Sequence, residues 1–350
     1  MKRKSFLALL LLLLFISLYS TGCSVSDYSF YLKNSGDEKH ELNDLFNLLE
    51  NKKSSGEQRF ILVDRIAGIL QMKGEKEKQI LFLTDYVEKH PVDPYNAFYL
   101  LLVAQNYEEQ KEYPLAVHYY NRILKNYPDL LYKGRSVHFH CLTSLVKLVD
   151  KPEFKVQYYK ELIARFSDNI DLGVTYYYLA KTYEKLGEWD LAIQAYKNFL
   201  QYPKSEISGI ENAHGKIKEK VAFYYSDKSW TVPDLETLIR EIKKAIRLRS
   251  PRRLLRYKAK VNFFTKSWEQ QTDSRKAAVF DLGSFLRKSK IRIANKLDID
   301  SNAREAYLKT TRWTYRIPTW YLYFRKIDFK ADPDIDGRWE WAGIYFGEKL

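Results

Sequence analysis

Cysteine is nearly absent. Two residues of this kind in a chain of 350 cannot build a disulfide framework, so packing alone must hold the fold. Glycine is sparse and scattered, 14 in all, and neither a phosphate-cradling Gly-rich loop nor a Gly-x-Ser-x-Gly elbow occurs. Histidine is scarcer still: there are six, only His214 lies beyond residue 141, and no His-Glu-x-x-His zinc helix occurs. Adjacent carboxylates such as Glu108-Glu109 have nothing beside them to raise one pKa. With these constellations missing, the chain reads as a non-enzyme.

What remains is 45% hydrophobic and 29% charged, a globular composition, and the length suggests about two domains. The net charge of +14 is unevenly spread. Residues 24–207 hold 24 basic against 26 acidic side chains, whereas residues 208–350 hold 31 against 18. Six of the seven Trp lie in the second stretch, and 19 of the 28 Tyr in the first. Two surfaces of different character therefore meet near residue 208.

The first residues, Met1-Lys2-Arg3-Lys4, precede an uncharged apolar run from Phe6 to Leu18, after which come Ser20, Thr21, Gly22 and Cys23. Thirteen residues are short for crossing a hydrocarbon core, and a charged start with small residues at its end is the pattern of a secretory signal over residues 1–22. Gly22-Cys23 resembles the lipobox of bacterial lipoproteins, with Ser20 where that family usually has Leu. The resemblance implies a covalent lipid on Cys23, no other cofactor, and a lipidated linker over residues 23–36. Ser24, in place of Asp, implies the outer membrane rather than the inner, with the protein facing the periplasm. Cys141 then has no intrachain partner and is expected to be packing.

A repeat dominates the first half. Ala97, Leu100, Ala104, Tyr107, Ala116, Tyr120 and Ile123 recur at the same offsets as Gly173, Tyr176, Ala180, Tyr183, Ala192, Tyr196 and Phe199, with Pro128 after the first set and Gly187 inside the second. The register extends upstream from Phe60 through Val63, Ala67, Leu70, Gly74, Leu83, Tyr86 and Pro91, but Gln79 stands where a small residue belongs. These positions resemble the tetratricopeptide repeat, an antiparallel helix pair with small residues at its seam. The implied domain covers residues 37–206, with repeats near 60–93, 97–130, 134–168 (degenerate) and 173–206. Leu42, Leu45, Phe46 and Leu49 lie on an amphipathic helix that could cap the array.

That resemblance further implies a concave groove for a protein partner, lined by first-helix residues. By position these are Phe98, Leu101, Gln105 and Glu108 in one repeat and Val174, Tyr177, Lys181 and Glu184 in the other. The mixed polar and aromatic surface suits an extended segment or a helix of another protein.

Residues 207–232 read as a connecting helix and 233–350 as a basic α+β domain with an antiparallel sheet. Asp234 to Leu248 is helical, and Ser250-Pro251 stops it. Leu255, Tyr257, Ala259, Val261 and Phe263 then alternate with polar residues, the pattern of a half-buried strand. Further strands are expected at 290–295, 307–315, 320–329 and 338–346. This order loosely resembles NTF2-like cones, which implies an alternative role, a ligand-binding lipoprotein with a pocket at Trp313, Trp320, Trp339 and Trp341.

Nine bases crowd one stretch: Lys243, Lys244, Arg247, Arg249, Arg252, Arg253, Arg256, Lys258 and Lys260. They form a candidate strip for anionic lipid, a cell-wall polymer or an acidic protein, and nucleic acid is not expected for a secreted chain. Asp332, Asp334, Asp336 and Gly337 have half the spacing of a calcium loop. Gly343 occupies its twelfth position and Pro333 interrupts it, so a plain hairpin turn is expected and no metal is assigned. The expected whole is a lipid-anchored scaffold of the cell envelope, with outer-membrane protein assembly as a setting.

Overall fold

Hydrogen-bonded caps mark where the helices of the first half begin. Ser55 accepts from the Gln58 amide while Gln58 accepts in turn from the Ser55 amide, a reciprocal capping box that starts a helix of 17 residues. Ser136 and Asp171 cap later helices through the amides of Phe139 and Val174. The computed structural model describes residues 28–33, 35–50, 55–268, 282–315 and 317–349. The signal segment and the proposed acylation site, Cys23, lie outside them.

The chain divides into two compact units between Asp150 and Lys151. The first contains α1 (Ser29–Leu32), α2 (Lys39–Leu49), α3 (Gly56–Met72), α4 (Lys76–Lys89), α5 (Asn96–Glu109), α6 (Tyr113–Asn126) and α7 (Val137–Leu148). Its seams are small, as the repeat requires: Ala67, Ala104 and Ala116 are completely buried. Gln79 breaks that rule without leaving a buried polar group unpaired. Its amide nitrogen donates to Ala67 O at 2.8 Å, and its carbonyl oxygen accepts from the Asn106 amide at 2.5 Å. Leu42 and Phe46 of α2 are fully buried, and α2 packs on α3.

Between α6 and α7 the sequence pattern gave no warning of a two-stranded ribbon. Strands β1 (Leu131–Tyr132) and β2 (Arg135–Ser136) pair antiparallel across Lys133-Gly134. Both turn residues have positive φ, 49° and 74°, which the twist of a two-residue hairpin demands. Asp129 secures the ribbon, accepting from Ser136 Oγ at 2.6 Å and from the His138 amide at 2.9 Å.

The second unit opens with α8 (Pro152–Arg165), α9 (Leu172–Leu186), α10 (Trp189–Phe199) and α11 (Ala213–Tyr225). Gly187 ends α9 in the left-handed conformation, the usual device of a helix stop. Gly173 serves a different need: a Cβ there would lie 2.3 Å from Ser205 Oγ and 2.7 Å from Tyr202 Cβ. Next come α12 (Leu235–Arg247), α13 (Pro251–Arg256), β3 (Phe264–Ser267), α14 (Leu282–Lys288), β4 (Arg292–Ile293), β5 (Glu305–Thr311), β6 (Trp320–Lys326) and β7 (Trp339–Phe346).

The strand expected from Leu255 to Phe263 is not formed. Ser250-Pro251 stops α12 but also starts α13: Ser250 Oγ accepts from the Arg253 amide, and Pro251 supplies a fixed helical φ without a donor to waste. Leu254, not Leu255, faces the core, and Leu255 is 44% exposed. Strand β3 was not expected, while β4, β5, β6 and β7 overlap the expected strands; the sheet order is β3-β7-β6-β5-β4. Every neighbouring pair is antiparallel except β3–β7, which is parallel.

One face of this sheet packs against α12, α13 and α14 through Leu238, Ile242, Leu254, Leu286, Leu322 and Ile344. Trp313, Trp320, Trp339 and Trp341 belong to that core rather than to the wall of a pocket. Trp313 and Trp320 stack with ring centres 4.4 Å apart, and their indole N–H groups donate to Thr310 Oγ1 and Ile317 O. The cone-like resemblance thus finds a filled interior at these four rings. The other face carries Tyr307, Tyr321, Tyr323 and Tyr345, with Trp268 stacked on Tyr345 at 4.2 Å.

Two substitutions test this packing. Replacing Ala192, which is fully buried, with Trp should lower stability by about 1–3 kcal/mol through overpacking. Asn106→Leu should cost about 1–3 kcal/mol by stranding the Gln79 carbonyl oxygen, whereas Gly56→Ala at the exposed start of α3 should be nearly neutral. Urea unfolding of each variant reads the difference, and an unchanged midpoint for Ala192→Trp would rule out the assigned repeat register.

Candidate functional site

Three of the four groove positions expected in the first repeat come together. Phe98, Leu101 and Gln105 of α5 line a cavity of about 540 Å³. Asp64, Gly68 and Gln71 of α3 form its second side, His140 of α7 its third. The ribbon contributes Tyr132, Lys133 and Arg135. Glu108 does not join them: its carboxylate accepts from Tyr120 OH at 2.5 Å, a tie between α5 and α6.

Aromatic contacts hold the ribbon on the helices. Tyr132 lies 4.0 Å from the Phe98 ring and 6.0 Å from Phe60, while Phe60 stacks on Tyr95 at 4.3 Å. Lys133 sits 4.9 Å over the Tyr132 ring. The floor is therefore apolar and aromatic, and its rim carries two cations.

Two titratable groups of the cavity, Asp64 and His140, are shifted toward neutrality. Burial raises the Asp64 carboxyl above its ordinary value, and Lys133 opposes the shift. Burial likewise depresses the His140 imidazole, and Lys147 adds to that while Glu108 works against it. With the Gln105 amide nitrogen 3.1 Å away and donating, His140 Nε2 accepts and the ring proton lies on Nδ1. Such a site presents amide and imidazole groups within a rim that carries Lys133 and Arg135.

Gly68 is the residue that sequence reasoning missed at most cost. A Cβ there would meet nothing within 4 Å, so its lack of a side chain is not required by packing within the unit. It leaves the cavity open instead. Glycine inside a helix is unfavourable by about 1 kcal/mol relative to alanine, and that local penalty was the available signal. His138 and Cys141, neighbours of His140 in sequence, are buried: His138 Nε2 bonds Tyr127 O at 3.0 Å, and burial pushes the Cys141 thiol up.

The second expected set lies in the other unit, on α9. Tyr177 is buried and packs edge-on against Phe199 at 5.5 Å, and Val174 is half-buried. Glu184 is largely enclosed and pairs with Lys181 at 2.6 Å and with Lys220 of α11. Burial alone would raise its carboxyl, but the bonds to Lys181 and Lys220 outweigh burial and hold it below its ordinary 4.5. Lys181 and Glu184 thus serve a tie between helices.

In the basic stretch, Lys243 donates to Asn295 O at 3.2 Å, Lys260 pairs with Asp227 at 2.7 Å, and Lys258 lies 4.6 Å over the Phe263 ring. Burial lowers the Lys258 ammonium below its ordinary value. Lys244, Arg247, Arg249, Arg252, Arg253 and Arg256 are exposed. In the Asp-rich loop, Asp332 Oδ1 accepts from the Asp334 amide and Asp336 Oδ1 from the Phe329 amide, so these carboxylates brace a turn. Among the described residues no group of three or more His, Cys, Asp or Glu could hold a metal ion.

This geometry sets two outcomes. Gly68→Ala should raise stability by about 0.5–1 kcal/mol, read from urea unfolding. A carboxyl held below its unfolded value stabilises above that value and loses the benefit as pH falls through its folded value. Glu184 therefore contributes above the carboxylate range and stops contributing below it; Glu184→Gln should reduce the fall in melting temperature between pH 6 and pH 3. An equal fall in both proteins would exclude the tie.

A tetratricopeptide-repeat family model matches residues 99–130 and 175–205. No curated protein matches. Among solved structures, MamA (an RS-1 ArsTM double mutant) aligns at 17% identity over 55% of this chain and 94% of its own, with a TM-score of 0.31. A second MamA structure aligns at 19% identity over 52% and 93%, with a TM-score of 0.29. YrrB, described as a TPR protein with an unusual peptide-binding site, aligns at 16% identity over 61% and 97%, with a TM-score of 0.32. Residues 99–130 and 175–205 are tetratricopeptide repeats, one in each compact unit.

Proposed function

We propose that this chain is a lipid-anchored scaffold of the bacterial cell envelope that grips a protein partner in the α3–α5–α7 groove. The observation that carries the reading is the groove itself: three first helices and a ribbon surround about 540 Å³, and Gly68 keeps it open. Phe98, Leu101 and Tyr132 provide apolar contact, while Gln71, Gln105 and His140 provide polar partners for a peptide backbone. A helix or extended segment of another protein fits this chemistry better than a small charged ligand.

The resemblance of Gly22-Cys23 to a lipobox supports acylation of Cys23, and Ser24 supports an outer-membrane address facing the periplasm. Outer-membrane protein assembly is a setting consistent with both. The anchor confines the groove to one surface, which raises the local concentration of any partner held there.

A photo-crosslinking residue at Leu102, in the groove, is expected to capture a specific envelope protein in cells. The same residue at Leu115, on the exposed side of α6, should capture none. Gly68→Leu should fill the groove and abolish capture without lowering the melting temperature, since leucine is a better helix former than glycine. Capture that survives Gly68→Leu would exclude the groove. Separately, Cys23→Ala should abolish fatty-acid labelling and release the protein from membranes, and persistent labelling would exclude this acylation site.

A further inference from the structure

We propose that the corner joining α12 to α13 is a second membrane contact, which sets arginines on anionic headgroups and two leucines at the acyl boundary. The corner is sharp. The Ser250 amide donates to Ala245 O and the Arg249 amide to Ile246 O, both at 3.0 Å, the paired bonds of a Schellman stop. Leu254, Ala245 and Ile246 anchor it to the core, so its outer residues are held out rigidly.

Those outer residues share one chemistry. Arg247 and Leu248 lie three and four residues after Lys244, and Leu255 and Arg256 three and four after Arg252. None of Lys244, Arg247, Arg249, Arg252, Arg253 and Arg256 forms an ion pair among the described residues. Among the described residues no carboxylate neutralises them.

One observation selects a bilayer over a dissolved polyanion. Leu248 is 57% exposed and Leu255 44%, both in the midst of the arginines. A polyanion would satisfy the guanidinium groups and leave these side chains in water, whereas an anionic bilayer takes both kinds at once. Arg249 stands at the apex of the corner with a φ of 48°, in the left-handed region that glycine usually occupies.

The contact does not depend on the groove or on acylation. It can be measured on the chain from Ser24 to Leu350, which contains every described residue and lacks the acylation site. Flotation with phosphatidylcholine vesicles, with and without phosphatidylglycerol, reads the bound fraction. Binding to the anionic vesicles is expected to be at least about tenfold tighter, and to weaken as salt rises. R252Q/R253Q/R256Q should lose most of that preference. L248S/L255S should weaken binding several-fold while keeping the salt dependence, and both variants should melt as the wild type does.

Equal binding to neutral and anionic vesicles would overturn the proposal, as would a triple-Gln variant that binds like the wild type. So would wild-type binding by L248S/L255S together with full competition by soluble polyphosphate, which would assign the corner to an anionic polymer. Inorganic phosphate at matched ionic strength should not compete, and competition by it would mean a free-phosphate site instead. Should the triple variant melt early, R253Q and L255S as single substitutions carry the same comparison.

Discussion

Two antiparallel helices can share a buried seam only if the side chains between them are small, and the repeats depend on that steric constraint. Ala67, Ala104, Ala116, Ala180 and Ala192 are all fully buried. Where the constraint is broken, at Gln79, the longer side chain survives because Ala67 O and Asn106 take up its amide. An unbonded amide at such a place would carry the full cost of desolvation, about 1–3 kcal/mol. The seam thus tolerates either a methyl group or a completely satisfied polar one.

The groove arises from the same arrangement. Second helices close the seams, so the first helices α3, α5 and α7 remain to present Gly68, Leu101 and His140 to one cavity. The ribbon then adds groups that the helices lack, an aromatic wall in Tyr132 and cations in Lys133 and Arg135. Glu108 and its counterpart in the second unit, Glu184, are both drawn into ties, the first with Tyr120 and the second with Lys220. That place in the repeat serves packing in both units.

The sheet of the second unit is joined to the preceding helices by a buried carboxylate. Glu340 on β7 is 1% exposed and accepts from Trp230 Nε1 and Arg325 Nε, each at 2.6 Å. Val232 and Trp339 exchange backbone hydrogen bonds beside it. A charge removed from water this completely requires such partners, and removing either would leave it uncompensated. These bonds fix where the chain enters α12, and the α12–α13 corner is held out from that base.

The repeats and most of the strands were legible in the sequence, because both rest on periodicity that adjacent residues carry. Leu100 to Ile123 and Tyr176 to Phe199 could be read as hairpins, β6 and β7 fell within their alternating stretches, and β5 overlapped its own, starting two residues earlier. Periodicity misled at Leu255–Phe263, where alternation over nine residues competed with a Ser-Pro helix start and the start won. Phe98, Leu101 and Gln105 were legible as groove residues, since repeat register fixes which side of a helix they occupy. Tyr132, Gly68 and His140 were not, because no local pattern says which residues from three helices and a ribbon converge. That convergence, the burial that holds Asp64 and His140 toward neutrality, and the exposure of Leu248 among exposed arginines arise only in the folded chain. Each depends on distances between residues far apart in sequence, which packing alone sets.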